Sequence, residues 1–382
     1  MKTLILTCNT GEGHNSTSAA VKECFERHGA VCDMTDALTF LSPLFSATVS
    51  RMHSRIYRHI PKAFSIGYRM AEEHPDAFRE NSRIYRILTG GANRLYAHLV
   101  EHAYDTVICA HVFSGLMMTA VLRAHPELEA RTCFIATDYT CSPIVRESKL
   151  DTYVIPDESL REDFLQNGIP AEKIVGSGIP VREAFMTRQD RRLAKQKCGL
   201  EPDAPHLLMM CGSMGCGPME KMADLLARQL PDSVTVTVIC GTNAALQKKL
   251  SRRYGKHPNL RIFGYVTDIA LLMDSADLYL TKPGGISVTE ATAKQLPMVL
   301  IDAVAGCEEY NLKYFLERGM ACSAETPDEI AACCVSLLED GARRDAMIAA
   351  MCKYGHPDAA EQIFRRFSSE SVCGVGRKEA SV

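Results

Sequence analysis

Lys282-Pro283-Gly284-Gly285-Ile286-Ser287-Val288-Thr289-Glu290 closes an apolar run, Ala276 to Thr281, and opens a helical pattern, Ser287 to Lys294. A Pro-Gly-Gly turn between strand and helix lets backbone approach a ligand closely, because glycine carries no Cβ. The helix start behind it offers unpaired N–H groups and the positive end of a dipole. That is a seat for an anion such as phosphate. A second turn, Gly11-Glu12-Gly13-His14, follows the run Leu4–Cys8 at the other end of the chain. A third, Gly212-Ser213-Met214-Gly215-x-Gly217, follows His206–Cys211, and its amides suit a distal phosphate.

Outward from these turns, strand-like runs alternate with helical stretches. Val31–Met34, Thr106–Ala110, Thr132–Ala136 and Thr152–Ile155 read as strands of a first half. Val234–Cys240, Leu260–Phe263, Leu278–Thr281 and Met298–Ile301 continue the second half after His206–Cys211. Helices are expected at Ser16–His28, Met219–Gln229 and Ala244–Tyr254. This rhythm predicts an α/β protein of parallel sheets covered by helices, arranged as two Rossmann-like domains facing across a cleft. The boundary falls near Arg188–Pro205, giving domains over residues 1–190 and 200–345. The tail 371–382 is small and polar and is expected to be disordered.

The chain has 382 residues, 46% of them apolar, enough for two cores. A net charge of −3 gives no global pull toward nucleic acid. The 16 cysteines form no C-x-x-C pair, so zinc and redox pairs have no support from spacing. The first apolar run is too short for a signal-peptide core, and no run of about 18 apolar residues exists. A cysteine-rich chain of this kind is expected in a reducing cytoplasm. The segment Ala37–Ala71 contains no acidic residue but carries Arg51, Arg55, Arg58, Lys62 and Arg69 among aromatic and aliphatic residues such as Phe64. Phe45, Val49, Met52 and Ile56 recur at helical spacing. Such a segment either lies on an anionic bilayer or packs on its own domain with solvated arginines.

The individual motifs each admit two readings. Gly11-x-Gly13-x-x-Ser16, with Asp33 and Asp36 about 20 residues on, approaches a dinucleotide fingerprint and keeps an NAD-linked oxidoreductase open. His14 is outside that fingerprint; on the turn it would point into the cleft as a general base, or bond nearby backbone. Ser287-x-x-Glu290 reads as a capping box, or Glu290 accepts hydrogen bonds from ribose hydroxyls. Glu308, Glu309 and Asn311 follow the strand Met298–Ile301 and suit sugar hydroxyls, or form a polar loop. Asp138 lines the cleft from the first half. The chain has no D-x-D motif, so a leaving diphosphate is expected to be stabilised without metal, by helix N-termini and Lys282.

Gly11-Glu12-Gly13-His14, Thr137-Asp138, Gly178-Ile179-Pro180-Val181-Arg182, Gly264-Tyr265-Val266 and Thr281-Lys282-Pro283-Gly284-Gly285 through Glu290-Ala291 occur together, in this order. In this the chain resembles the diacylglycerol glycosyltransferases, over roughly residues 1–370. The resemblance implies a GT-B fold and an inverting transfer from UDP-glucose or UDP-galactose to diacylglycerol or a glycosyl-diacylglycerol, with no cofactor and no bound metal. It implies His14 and Asp138 as catalytic residues. Donor contacts are implied for Gly212, Ser213, Gly215, Tyr265, Val266, Lys282, Gly284, Gly285, Ser287, Glu290, Glu308, Glu309 and Asn311. It further implies a helix within 346–370 that packs back on the first domain, and a peripheral place on the inner face of the cell membrane, the basic segment meeting the lipid. The chain departs from the family pattern at Glu12, where glycine is frequent, and at Cys307, where a glutamine often faces the sugar. A GT-B enzyme with a polyprenyl or soluble acceptor, and a sensor that binds without transfer, are the alternatives.

Overall fold

The computed structural model of the chain describes residues 1–9, 11–59, 70, 73–80, 82–303 and 306–369. Six strands form the first sheet: β1 Lys2–Thr7, β2 Val31–Asp36, β3 Thr106–Cys109, β4 Arg131–Ile135, β5 Thr152–Val154 and β6 Ile174–Val175. Their order is β2-β1-β3-β4-β5-β6, and every pairing is parallel. Six more form the second sheet: β7 His206–Met210, β8 Thr235–Ile239, β9 Leu260–Phe263, β10 Leu278–Thr281, β11 Met298–Leu300 and β12 Ala321–Ser323. Their order is β12-β11-β10-β7-β8-β9, again all parallel.

Parallel strands need crossovers, and the crossover helices cover both faces. Leu4, Ile5 and Leu6 are accordingly all fully buried although they alternate sides. One core gathers around Leu4, Leu6, Val107 and Met117, another around Leu207, Val236 and Leu278. A third spans both halves, joining Tyr139, Ile179, Val181 and Phe185 to Tyr279, Val288 and Phe315. The last described helix, Ala359–Ser369, returns to the first half, where Ala360, Ile363 and Phe367 pack with Ile5, Phe25 and Ile108. Burying two side chains as large as Ile363 and Phe367 contributes about 3–6 kcal/mol.

Ten strands lie where the apolar runs place them; β6 and β12 are additional. They have two and three residues, too few for a period to show. The linker Arg188–Pro205 is partly helical, with Asp190 capping Arg191–Lys197 through the backbone N–H of Leu193. The tail 371–382 lies outside the described residues, as do Lys62, Phe64 and Arg69. The helix Pro43–His59 spends Phe45 and Val49 on the first core, while Leu44, Arg51, Met52 and Arg55 are exposed. Arg58 lies in its last turn.

Polar contacts fix the two halves against each other. Buried Asn311 accepts from the backbone N–H of Tyr139 at 2.7 Å. Its amide donates to Asp138 Oδ1 at 2.8 Å and to the carbonyl of Pro283 at 2.9 Å. The Tyr139 hydroxyl meets Thr289 Oγ1 at 3.0 Å. Removing the amide strands buried donors and acceptors on both sides, at about 1–3 kcal/mol. Asn311→Ala is therefore expected to lower Tm by a few degrees in differential scanning calorimetry. It should also separate one transition into two. An unchanged single transition would show that Asn311 does not couple the halves.

Candidate active site

Each sheet reverses strand order once, the first between β1 and β3, the second between β7 and β10. Loops leaving strands on either side of such a reversal part and leave a crevice. The Gly11 turn leaves β1, Ala110-His111 leaves β3, the Gly212 turn leaves β7 and the Lys282 turn leaves β10. The two crevices face each other.

The first helix runs Glu12–Arg27, four residues earlier than its sequence pattern indicates, so His14 sits in a helical turn rather than on the loop. Its Nδ1 lies 2.8 Å from the carbonyl oxygen of Ala110 and 3.1 Å from Thr137 Oγ1. A carbonyl only accepts, so Nδ1 carries the hydrogen and Nε2 keeps a lone pair. His111 packs edge-on against the ring at 4.5 Å. His111 itself accepts from Phe113 N–H at 3.0 Å. Burial lowers the His14 pKa below 6.5, opposed by the charge of Asp138 and the bond to Ala110. The imidazole is thus neutral at pH 7, the state a base requires.

Three cavities run through the cleft in series. One of about 550 Å³ is lined by Ser16, Arg182, Tyr265, Val266, Ser287 and Glu290. A second, of about 200 Å³, lies among Gly13, Gly212, Ser213, Lys282, Gly284 and Glu308. A third, of about 250 Å³, is walled by Val112, Phe113, Phe134, Ile144, Val145 and Phe164. Gly212, Ser213 and Ser287 line both the first and the second. His14, Thr137 and Asp138 line both the second and the third. His14 therefore stands where a glycine-rich polar space meets an apolar one.

The helix after the Lys282 turn starts at Gly285 with Gly284 as N-cap and no side-chain cap bond. Ser287 and Glu290 thus form no capping box, and the helix begins two residues before the sequence pattern does. Glu290 is buried, and Ser16 Oγ donates to it at 3.3 Å across the cleft. Burial pushes its pKa up to about 8 from an ordinary 4.5, against the bond from Ser16 and the charge of Arg182. Lys282 is no free cation: its Nζ is 3.2 Å from Glu308 Oε2, both side chains buried. Gly215 has φ +56, and a Cβ there would overlap the carbonyl of Cys240, so this glycine shapes the loop.

Two of the sugar-site residues expected from sequence stand elsewhere. Glu309 is exposed and lines none of the three cavities. On the helix Cys307–Glu317, one residue's step turns it 100° from buried Glu308. Asn311 faces inward but spends its amide on Asp138, Pro283 and Tyr139. The acidic partners of the NAD-linked reading are also engaged. Asp33 accepts from the Tyr104 hydroxyl at 2.6 Å, and Asp36 from Leu38 N–H at 3.0 Å and from Ser46. Sequence reasoning missed His111, Ser16 and Arg182 as site residues. His111 had a signal, as a histidine directly after the β3 run; Ser16 and Arg182 close motifs singled out above, Gly11-x-Gly13-x-x-Ser16 and Gly178–Arg182, without a contact assigned to them.

Residues 14–181 match the family model described as monogalactosyldiacylglycerol (MGDG) synthase, and residues 219–353 match glycosyl transferases group 1. The fold is GT-B, and the chain is a glycosyltransferase. The processive diacylglycerol beta-glucosyltransferase of Bacillus cereus (strain AH187) is 27% identical, over 97% of this chain and 94% of the relative. That of Bacillus licheniformis is 29% identical, over 90% and 88%. Among solved structures, MurG of Acinetobacter baumannii superposes with TM-score 0.59 at 15% identity, covering 96% of this chain and 99% of that one. HepE of Anabaena in complex with UDP gives 0.58 at 15% identity, over 97% and 100%. At these identities the two structures speak to the fold alone. Among the described residues, no helix is long and apolar enough to cross a membrane.

The Glu290 carboxyl supplies a pH test. Below pH 4.5 it is protonated folded or unfolded, and its proton holds stability in full. Between 4.5 and about 8 only the folded chain keeps the proton, so stability falls as pH rises, levelling off above 8. Glu290→Gln should match wild type in Tm near pH 4.5 and exceed it by a margin that grows up to pH 8. A margin that is flat with pH would rule out a buried, protonated Glu290.

Proposed function

We propose that this glycosyltransferase moves glucose or galactose from a UDP-sugar to diacylglycerol or a glycosyl-diacylglycerol, inverting the anomeric centre. The observation that carries the reading is the position of His14, at the junction of the glycine-lined space and the apolar cavity. A lipid alcohol suits that junction: acyl carbon lies against Phe113, Phe134 and Val145, and the hydroxyl reaches His14 Nε2. The named activity of the curated relatives, spanning nearly the whole chain, supports the same substrate pair.

The uridine belongs in the largest of these three cavities, with Tyr265 and Val266 beside the base and Glu290 under the ribose. The diphosphate lies at Gly212, Ser213, Gly284 and Gly285, where amides and the N-terminus of the helix Gly285–Ala293 face it. The hydroxyl oxygen attacks the anomeric carbon, the bond to the diphosphate oxygen breaks, and the hydroxyl proton passes to His14 Nε2. The departing charge is stabilised by those amides and by Lys282, while Glu308 holds the ammonium in place. Asp138 raises the proton affinity of His14 by its charge and ties the base to the second half through Asn311. Glu308 and Gly215 act on Lys282 and the loop rather than on the sugar.

The lipid reading extends to the surface. Leu44, Arg51 and Arg55 fall on one exposed face of the helix Pro43–His59, seven and eleven residues apart. A basic, partly apolar face of this kind suits an anionic bilayer, each arginine contributing about 1 kcal/mol. We place the enzyme peripherally on the cytoplasmic face of the membrane on that ground.

The decisive assay incubates the protein with diacylglycerol liposomes and UDP-glucose or UDP-galactose and weighs the lipid products. A hexose added to diacylglycerol is expected; transfer only to a polyprenyl phosphate or a soluble acceptor would overturn the lipid assignment. His14→Ala should lower turnover by about 10²–10⁴-fold and leave UDP affinity unchanged. For the wild type, the acid limb of kcat/KM should lie below pH 6.5, because burial lowers the base. Asp138→Asn removes a charge that raises it, so the limb should move to lower pH. A limb that stays in place would remove Asp138 from the mechanism.

A further inference from the structure

Away from the cleft, the first helix and the closing helix bring three metal-ligating side chains together. Cys24 stands in the last turn of Glu12–Arg27 and His28, four residues on, is its C-cap, while Glu361 reaches them from Ala359–Ser369. One ligand atom from each lies within 4.8 Å of the others. Cys24 Sγ is 3.7 Å from Glu361 Oε2, and His28 Nε2 is 3.3 Å from Glu361 Oε1. Tetrahedral zinc with its usual bond lengths separates a sulfur and a carboxylate oxygen by about 3.6 Å, and a nitrogen and an oxygen by about 3.4 Å. Each oxygen of the Glu361 carboxylate thus stands at ligand spacing from one of the other two side chains, and all three meet within 4.8 Å.

The imidazole is also set for ligation. His28 Nδ1 donates to the carbonyl of Cys24 at 2.9 Å, which leaves the Nε2 lone pair facing Glu361. Its ring stacks on Phe364 of the closing helix at 4.2 Å. We propose that Cys24, His28 and Glu361 bind one zinc-class divalent cation, with water as fourth ligand, and that this metal fastens the closing helix to the helix bearing His14. None of the three lines the cleft cavities, so the metal braces the fold and takes no part in transfer.

Arg27 competes for the same ligands. Its Nη2 is 3.5 Å from Glu361 and 3.8 Å from Cys24 Sγ, and Arg365 Nε also lies 3.4 Å from Glu361. In the metal-free state these arginines satisfy the carboxylate. When metal arrives the Cys24 thiol releases its proton to solvent, Arg27 keeps Glu183, 3.1 Å from its Nη1, and the thiolate and carboxylate neutralise the cation.

Cobalt and zinc binding to chelator-treated full-length protein tests the assignment. One equivalent of Co²⁺ should bind with a thiolate-to-cobalt charge-transfer band, and Zn²⁺ should displace it and raise Tm. Cys24→Ser should lose the band, and His28→Gln should weaken Zn²⁺ at least tenfold. Arg27→Gln should tighten Zn²⁺, since it removes a competitor and leaves all three ligands. Cys352→Ser, at an exposed cysteine, should change nothing. A missing band, a band that survives Cys24→Ser, or Zn²⁺ affinity unmoved by Arg27→Gln would overturn the site and leave a plain salt-bridge cluster.

Discussion

The close approach of Gly285 to Thr137 is the constraint on which the rest of the site depends. A Cβ on Gly285 would overlap the carbonyl oxygen of Thr137 and come within 2.9 Å of Asp138 Oδ1. The glycine is thus required by the neighbouring domain. Because that carbon is absent, the helix start after β10 docks directly on the loop after β4. Asn311 then spans the joint with three hydrogen bonds, both amide hydrogens among them. The same joint holds Thr137 and Asp138 beside His14. Base geometry and interdomain geometry are therefore one set of contacts, and neither half alone would hold His14 against the Lys282 turn.

Charge in the cleft is arranged to cost little. His14 is neutral because burial opposes its cation, and Glu290 keeps its proton because burial opposes its anion. Lys282 lies at depth against Glu308, its Nζ 3.2 Å from Oε2. Such a pair adds little to stability on its own, since desolvating both ions offsets their attraction. Its value is positional: a lysine held by a carboxylate cannot collapse onto the loop. An arriving diphosphate thus meets amides and an ammonium already in place, which is where electrostatic stabilisation is strongest.

The architecture was legible because parallel strands buried on both faces read as continuous apolar runs, as Leu4–Cys8 and His206–Cys211 do. The glycine turns marked the carboxyl ends of β1, β7 and β10, which proved to flank the two reversals of strand order. What escaped lay in tertiary contact. Ser287-x-x-Glu290 fits a local capping rule, yet the helix starts at Gly285, because docking on Thr137 orders two more residues than local capping does. Glu308, Glu309 and Asn311 read as one polar cluster, and helical rotation sends them to an ion pair, to solvent and to the domain joint. The basic segment read as one amphipathic stripe; Phe45 and Val49 belong to the core, and only the neighbouring face is open.

Glu290 shows how binding and protonation join in this geometry. A protonated carboxyl offers one donor and reduced acceptor capacity, whereas a ribose diol presents two donors. To accept both hydroxyls the carboxyl must release the proton that burial has given it, since its pKa in the empty cleft is about 8. The hydroxyls of the sugar replace the lost hydration of the anion, and Ser16 adds a third donor from the opposite domain. In the proposed reading, with ribose on Glu290, nucleotide binding at neutral pH is coupled to proton release. The anion so created is stabilised by contacts from both halves of the chain.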